Sequence, residues 1–170
     1  MILSFKQRFE DGSRTHFVDK IWEGLLETKE ATTSEYLDFD QKHCDKFGTS
    51  FNNFFLVSEF SERKYHSIRP RRKGNKQWAI GDKIHMAINP RSPNYFQFAP
   101  TLEVKRVDDI DIKYSWFVMS EKKSYYAEIF VNGESIGTWD MQNPRLNNDP
   151  ECDTIRELAY NDGFLTVGAF

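Results

Sequence analysis

The strongest structural constraint in this sequence is a hairpin signal in its last third. The residues SYYAEIFVNGESIGTW (124–139) hold two runs rich in β-branched and aromatic side chains, separated by Asn132 and Gly133. Asn-Gly is the preferred pair for a two-residue type I′ turn, because both central positions need a positive φ. The stretch therefore predicts an antiparallel hairpin.

Other parts of the chain also show strand patterns. Alternating or short apolar runs, bounded by turn residues, predict half-buried strands. These runs lie at 2–5, 84–88, 102–107 and 108–119. The second of them is entered through a Gly-Asp turn at Gly81.

Two helices are predicted, one early and one late. In HFVDKIWEGLLE (16–27), apolar residues recur at the spacing of an amphipathic helix, and Ser13 or Thr15 can cap its start. Thr154 with Glu157 three residues later forms a capping-box pattern, which predicts the start of the late helix.

Together these elements predict an α+β fold. Five to seven short strands, mostly antiparallel, with an early and a late helix, suggest a small β-barrel or a strongly curved sheet. The 170 residues suggest one domain. Residues 28–50 are polar and read as irregular or partly helical. The aromatic run FNNFFLVSEF (51–60) fits a strand or a short helix.

Composition and charge limit the function classes. The net charge of −3 argues against a protein that coats DNA along its whole surface. Two cysteines without metal-ligand spacing, and no phosphate-binding glycine loop, predict neither a metal nor a cofactor. The first residues are too polar for a signal peptide, and no apolar run approaches the roughly 20 residues that span a bilayer. A cytoplasmic protein without membrane contact is expected.

The basic stretch KYHSIRPRRKGNKQW (64–78) is the main candidate for function. It has three interpretations: an exposed loop, a contact for nucleic-acid phosphates with an aromatic residue for stacking, or a site for a smaller anion. Arg91 and Tyr95, which follow the next predicted strand, are candidates for the same cleft. The predicted ligand-binding residues are Arg69, Arg71, Arg72, Lys73, Trp78, Arg91 and Tyr95.

The order of several short motifs resembles the ASCH family, small domains of the PUA-like barrel superfamily. The resemblance covers about residues 1–27 and 62–168, and it leaves residues 28–58 as an insert. The chain is also shorter at its C-terminal side than the family pattern. The matching residues are Lys64, Ser67, Ile68, Arg69, Trp78, Gly81, Lys83, Ile84, Leu158, Ala159, Asn161, Asp162, Gly163 and Phe164.

The resemblance implies a cleft that binds RNA or a modified nucleoside. One branch of the family, the N4-acetylcytidine amidohydrolases, implies three catalytic residues. By motif these are Lys64, Ser67 in place of a threonine, and Asp162 in place of a glutamate. The shorter aspartate reduces reach by one methylene, and a displacement of about 1 Å can cost on the order of 10²-fold in rate.

The residues themselves leave catalysis open. A serine hydroxyl needs a base, and a lysine can be that base if burial or neighbouring positive charge lowers its pKa. Lys64 and Ser67 are three residues apart, so a regular strand would point them to opposite faces. Asp162 ends a predicted helix, where the macrodipole disfavours a negative charge.

Three functions therefore follow from the sequence. The first is binding of RNA or a nucleoside-type ligand in a basic cleft. The second is hydrolysis, either of N4-acylated cytidine or of RNA. The third is protein interaction through the insert at 28–58. The sequence does not predict the oligomeric state.

Overall fold

The chain forms two compact units, Met1–Arg106 and Val107–Phe170. The computed structural model describes residues 1–51, 63–69, 77–119, 122–142 and 150–162. Helices and mostly antiparallel strands confirm the predicted α+β class. The described strands form two open sheets, of four and three strands, so the barrel form of the prediction is not found among them. In the first sheet no described strand joins the two edges, as closure into a barrel requires.

The sheet of the first unit is centred on its second strand. Its strands are β1 (Ile2–Ser4), β2 (Lys83–Ile88), β3 (Phe96–Gln97) and β4 (Leu102–Glu103). β1 runs parallel to β2, with Leu3 opposite Met86. β3 and β4 pair antiparallel with different ends of β2. The run predicted at 102–107 is therefore a strand over only two residues.

The first helix, α1 (Phe17–Glu27), confirms the prediction from the apolar spacing. Its start differs from the predicted cap. His16 occupies the N-cap position with a φ of 54° and makes no capping bond with its side chain. The Thr15 hydroxyl, one position earlier, donates to the Lys6 carbonyl at 2.7 Å and accepts from the Phe17 N–H at 3.4 Å.

A second helix, α2 (Thr33–Phe47), occupies most of the segment expected to be irregular or partly helical. It begins with a capping box: the Thr32 hydroxyl accepts from the Glu35 N–H, and the Glu35 carboxylate accepts from the Thr32 N–H. Its Tyr36 ring meets Trp22 of α1 edge-on at 5.2 Å. The predicted insert thus contributes to the core of the first unit.

The core of the first unit is mainly aromatic. Trp22 is 2% exposed, and its indole N–H donates to the Phe98 carbonyl at 3.0 Å, which ties α1 to the chain just after β3. Aromatic packing of this kind accounts for many of the chain's aromatic residues. The buried cluster comprises Phe5, Ile21, Trp22, Leu25, Ala31, Tyr36, Ile88, Phe96, Phe98 and Ala99.

The second unit is a three-stranded antiparallel meander followed by a helix. Its elements are β5 (Ile110–Met119), β6 (Lys122–Val131), β7 (Glu134–Asp140) and α3 (Pro150–Asn161). The predicted hairpin is confirmed, with φ of 53° at Asn132 and 85° at Gly133. α3 begins at Pro150 and not at Thr154, because proline suits the first helical position, where an N–H bond is not needed.

Candidate functional site

The segment 63–69 lies against α1, on the side where that helix carries a glycine. The Lys64 N–H donates to the Lys20 carbonyl at 3.1 Å, and Arg63 pairs with Glu27 at 2.8 Å. A Cβ at Gly24 would lie 2.8 Å from the Lys64 carbonyl oxygen. Only glycine permits this close approach of the two backbones.

Lys64 is the most deeply buried residue of this segment. It is 6% exposed, and its ammonium group lies 5.0 Å from the centre of the Phe17 ring. Lysines are rarely buried to this extent unless their charge is compensated. A cation over a ring face is one favourable arrangement. The sequence prediction singled out this lysine, and the structure gives it an unusual environment.

Arg69 lies over the neighbouring aromatic ring. Its guanidinium carbon is 5.0 Å from the centre of the Phe5 ring, and it donates to the Ser4 carbonyl at 3.0 Å. Phe5 and Phe17 contact each other edge-on at 6.4 Å. The cations of Lys64 and Arg69 are therefore held on one aromatic pair, although the two residues are five positions apart.

The backbone between the two cations is not a regular strand. From 63 to 69 the chain is irregular except for a single bridge position at Lys64. The strict alternation of a β-strand therefore does not apply to Lys64 and Ser67. Ser67 is half-buried.

The remaining predicted ligand residues that are described lie at different ends of the sheet. Trp78 is half-buried and precedes the turn into β2, where Gly81 has a φ of 86°. Arg91, which is exposed, and Tyr95 lie in the loop after β2. Because Arg69 bonds to Ser4, which pairs with Ala87, it lies at the Arg91 end of β2. Trp78 instead precedes the other end of β2, which begins at Lys83.

The three predicted catalytic residues are divided between the two units. Lys64 and Ser67 belong to the first unit, whereas Asp162 belongs to the second. Asp162 directly follows α3, is 4% exposed, and its N–H donates to the Leu158 and Ala159 carbonyls. Arg71, Arg72 and Lys73 lie outside the described residues, as does the aromatic run at 52–60. Their roles stay predictions.

The helix beneath the segment supplies charged residues that were not predicted. Lys20 is 5% exposed, and Asp19 lies 3.1 Å from a ring nitrogen of His16. Burial raises the pKa of Asp19 above its usual value, although His16 opposes this. In the sequence, Gly24 is the residue that could have indicated this packing, because an isolated glycine inside a strong helix pattern usually has a packing reason.

Glu23 makes the stability of this region depend on pH. Burial raises its pKa from 4.5 to about 6, while Arg63 acts in the opposite direction. A carboxyl group with a raised pKa binds its proton more tightly in the folded state. Its contribution to stability is therefore fully present below pH 4.5 and is lost as the pH rises through about 6.

Replacing Glu23 with Gln is expected to reduce this loss. The measurement is the urea midpoint at about pH 5 and about pH 7, since the native chain should lose stability between them. Glu10→Gln, at an exposed glutamate, is the matched control and should keep the native pH dependence. An equal pH dependence in Glu23→Gln and the native chain would show that Glu23 is not the source of the loss of stability.

Searches for relatives give no further indication of function. No protein-family model, no curated protein and no solved structure matches the chain. Among the described residues, no group of His, Cys, Asp and Glu is arranged to hold a metal ion. No helix in the same part of the chain is long and apolar enough to cross a bilayer.

Proposed function

We propose that the first unit binds an anionic nucleoside-type ligand, a nucleotide or a short single-stranded RNA, on the face formed by residues 63–69. The observation that carries this proposal is the placement of Lys64 and Arg69 over the Phe5–Phe17 pair. The resemblance of KYHSIR to the ASCH motif supports the same residues.

The distribution of charge favours an anionic ligand in this unit. Residues 1–106 contain eighteen Lys or Arg against fourteen Asp or Glu, although the whole chain is acidic. Local charge, more than net charge, determines the attraction of a ligand to a site. The first unit is therefore the part of the chain suited to phosphate.

Arg69 is the residue best placed to contact the ligand. It is exposed, and its bonds to the Ser4 and Ile68 carbonyls fix the plane of its guanidinium group. A planar guanidinium offers paired N–H donors that match two oxygens of a phosphate. Lys64 lies deeper and adds positive charge beneath it. Arg91, exposed in the loop that follows β2, adds a further positive charge at the same end of the sheet.

Fluorescence anisotropy with labelled single-stranded RNA tests the proposal, with nucleoside monophosphates and the uncharged nucleosides as competitors. Binding should weaken steeply with added salt. Arg69→Met and Lys64→Met should each lower the affinity about tenfold or more, since a charge-assisted bond contributes about 1.5–3 kcal/mol. Lys42→Met is the matched control, because Lys42 is an exposed cation 4.8 Å from the Phe39 ring.

Two results would contradict the proposal. One is the absence of RNA or nucleotide binding at low salt. The other is an equal loss of affinity in Arg69→Met, Lys64→Met and Lys42→Met, which would indicate a nonspecific charge effect. Competition by monophosphates but not by nucleosides identifies phosphate as the recognised group.

Hydrolysis is the second candidate, and the irregular backbone at 63–69 favours it. That backbone removes the objection that Lys64 and Ser67 must point to opposite faces. In this proposal Lys64 is the base and Ser67 the nucleophile, while the role of Asp162, in the second unit, stays a prediction. Turnover of N4-acylated cytidines and cleavage of RNA should both be measured. Equal turnover by Ser67→Ala would remove Ser67 from the mechanism.

A further inference from the structure

The two edges of the three-stranded sheet differ in how they are protected. β7, at one edge, has exposed polar residues, and its pairing with β6 is irregular between Ile129 and Phe130. Bulges and polar side chains keep an edge strand from pairing with another chain. β5, at the other edge, pairs with β6 without a break over ten residues. In the described part of the chain no strand pairs with the outer side of β5.

The β5 edge also exposes large apolar side chains. Tyr114 is 69% and Trp116 58% exposed, and both lie on the same face of the sheet. Tyr125 of β6 is the partner of Trp116 and lies on that face as well. Phe117, on the opposite face, is 47% exposed. From Tyr114 onward this strand has neither proline nor charge. A long apolar edge strand without bulges, charged side chains or prolines is a site for pairing with another strand.

The charge of the second unit argues against nucleic acid as the occupant of this edge. Residues 107–170 contain twelve Asp or Glu against five Lys or Arg. An aromatic surface that stacks on bases normally lies in a basic groove that neutralises phosphates. This unit would repel them.

We propose that β5 pairs with β5 of a second copy of the chain. Two antiparallel strands related by a two-fold axis place residue pairs opposite each other around one central residue. Centred on Ser115, this pairing sets Tyr114 opposite Trp116 and Lys113 opposite Phe117. Each pair lies on one face, as an antiparallel sheet requires. The two sheets become one sheet of six strands.

Of the registers centred on Lys113, Tyr114 and Ser115, the last places compatible side chains together. Centring the pair on Lys113 would place two lysines opposite each other, and centring it on Tyr114 would place Asp111 opposite Phe117. Like charges disfavour a pairing, and the negative face of an aromatic ring repels a carboxylate. The Lys113 ammonium, which the Ser115 register sets opposite Phe117, is instead attracted to a ring face. The Ser115 register also brings Ile112 opposite Val118. β5 is therefore complementary to itself.

The area available corresponds to a weak, concentration-dependent dimer. An aromatic side chain buries about 150–250 Å², so burying the exposed parts of Tyr114, Trp116, Phe117 and Tyr125 from two copies removes on the order of 1,000 Å² from water. That is about the lower limit for a specific interface. The proposal does not depend on the ligand site of the first unit.

Analytical ultracentrifugation of the full chain across a concentration series tests the proposal. A monomer–dimer equilibrium is expected, and Trp116→Glu should raise its dissociation constant about thirtyfold or more, as for a central interface residue. Leu37→Glu, at a 59% exposed leucine of α2, should change it by less than about twofold. A chain that is monomeric at every concentration, or a dimer unaffected by Trp116→Glu, would overturn it.

Cross-linking tests the register and does not require a weakened interface. In a Cys44→Ser background, Ser115→Cys should be joined by a short bismaleimide, because the two copies of this residue face each other. Asp111→Cys is the control on the same strand, and its two copies would be about 27 Å apart. Cross-linking of Asp111→Cys but not of Ser115→Cys would overturn the proposed pairing.

Discussion

Replacing Trp22 with Ala is expected to lower the free energy of unfolding of the first unit by about 3–5 kcal/mol. The side chain is 2% exposed, so its removal leaves a cavity among aromatic rings that already contact one another. It also leaves the Phe98 carbonyl without the indole N–H, which donates to it at 3.0 Å. Since the free energy of unfolding of a domain is only about 5–15 kcal/mol, this change removes a large part of it. Urea unfolding followed by circular dichroism measures it.

Trp22→Phe separates the contribution of ring packing from that of the indole hydrogen bond. It keeps most of the ring volume against Tyr36 but lacks the N–H, so a loss of about 1–3 kcal/mol is expected from the unsatisfied carbonyl. The order native, then Trp22→Phe, then Trp22→Ala is the predicted ranking. A loss below about 1 kcal/mol in Trp22→Ala would contradict the described core.

Replacing Gly24 with Ala is expected to destabilise the chain, although alanine is the better helix former by about 1 kcal/mol. The new Cβ would lie 2.8 Å from the Lys64 carbonyl oxygen and 3.6 Å from the Tyr65 ring. The nearest atom belongs to backbone, so α1 and the segment 63–69 must separate. Overpacking of this kind costs about 1–3 kcal/mol, which exceeds the gain in helix propensity.

The same change tests whether the ligand face depends on this close approach. If it does, Gly24→Ala should weaken RNA binding along with stability, because it displaces Lys64. Gly24→Ser has a similar Cβ and should behave alike. Ser34→Ala, at an exposed position near the start of α2, serves as the control. Equal or higher stability in Gly24→Ala would contradict the packing.

Local sequence signals predicted part of the fold. The Asn132-Gly133 turn and the apolar stripe of α1 are local, and both elements form as expected. The parallel pairing of β1 with β2 joins residues about eighty positions apart, and no local pattern indicates it. The start of α2 was missed even though Thr32 and Glu35 have capping-box spacing, because the segment has few apolar residues.

The candidate site was predictable in its residue types but not in its arrangement. Lys64 and Arg69 stand out in the sequence as part of a basic run. Their positions over Phe17 and Phe5 depend on tertiary packing between distant segments, which a basic run alone does not reveal. The start of α3 at Pro150 shows a related difficulty, because two start signals, Pro150 and Thr154, compete within five residues.

The parallel pairing of β1 with β2 has a consequence for how the chain folds during synthesis. β1 leaves the ribosome before its partner strand, which follows only after about eighty residues, so the sheet of the first unit cannot begin to form until then. The second unit consists of neighbouring elements joined by short connections, a local topology associated with fast folding. We therefore expect the later-made half to fold quickly once released, and the earlier-made half to set the overall folding rate.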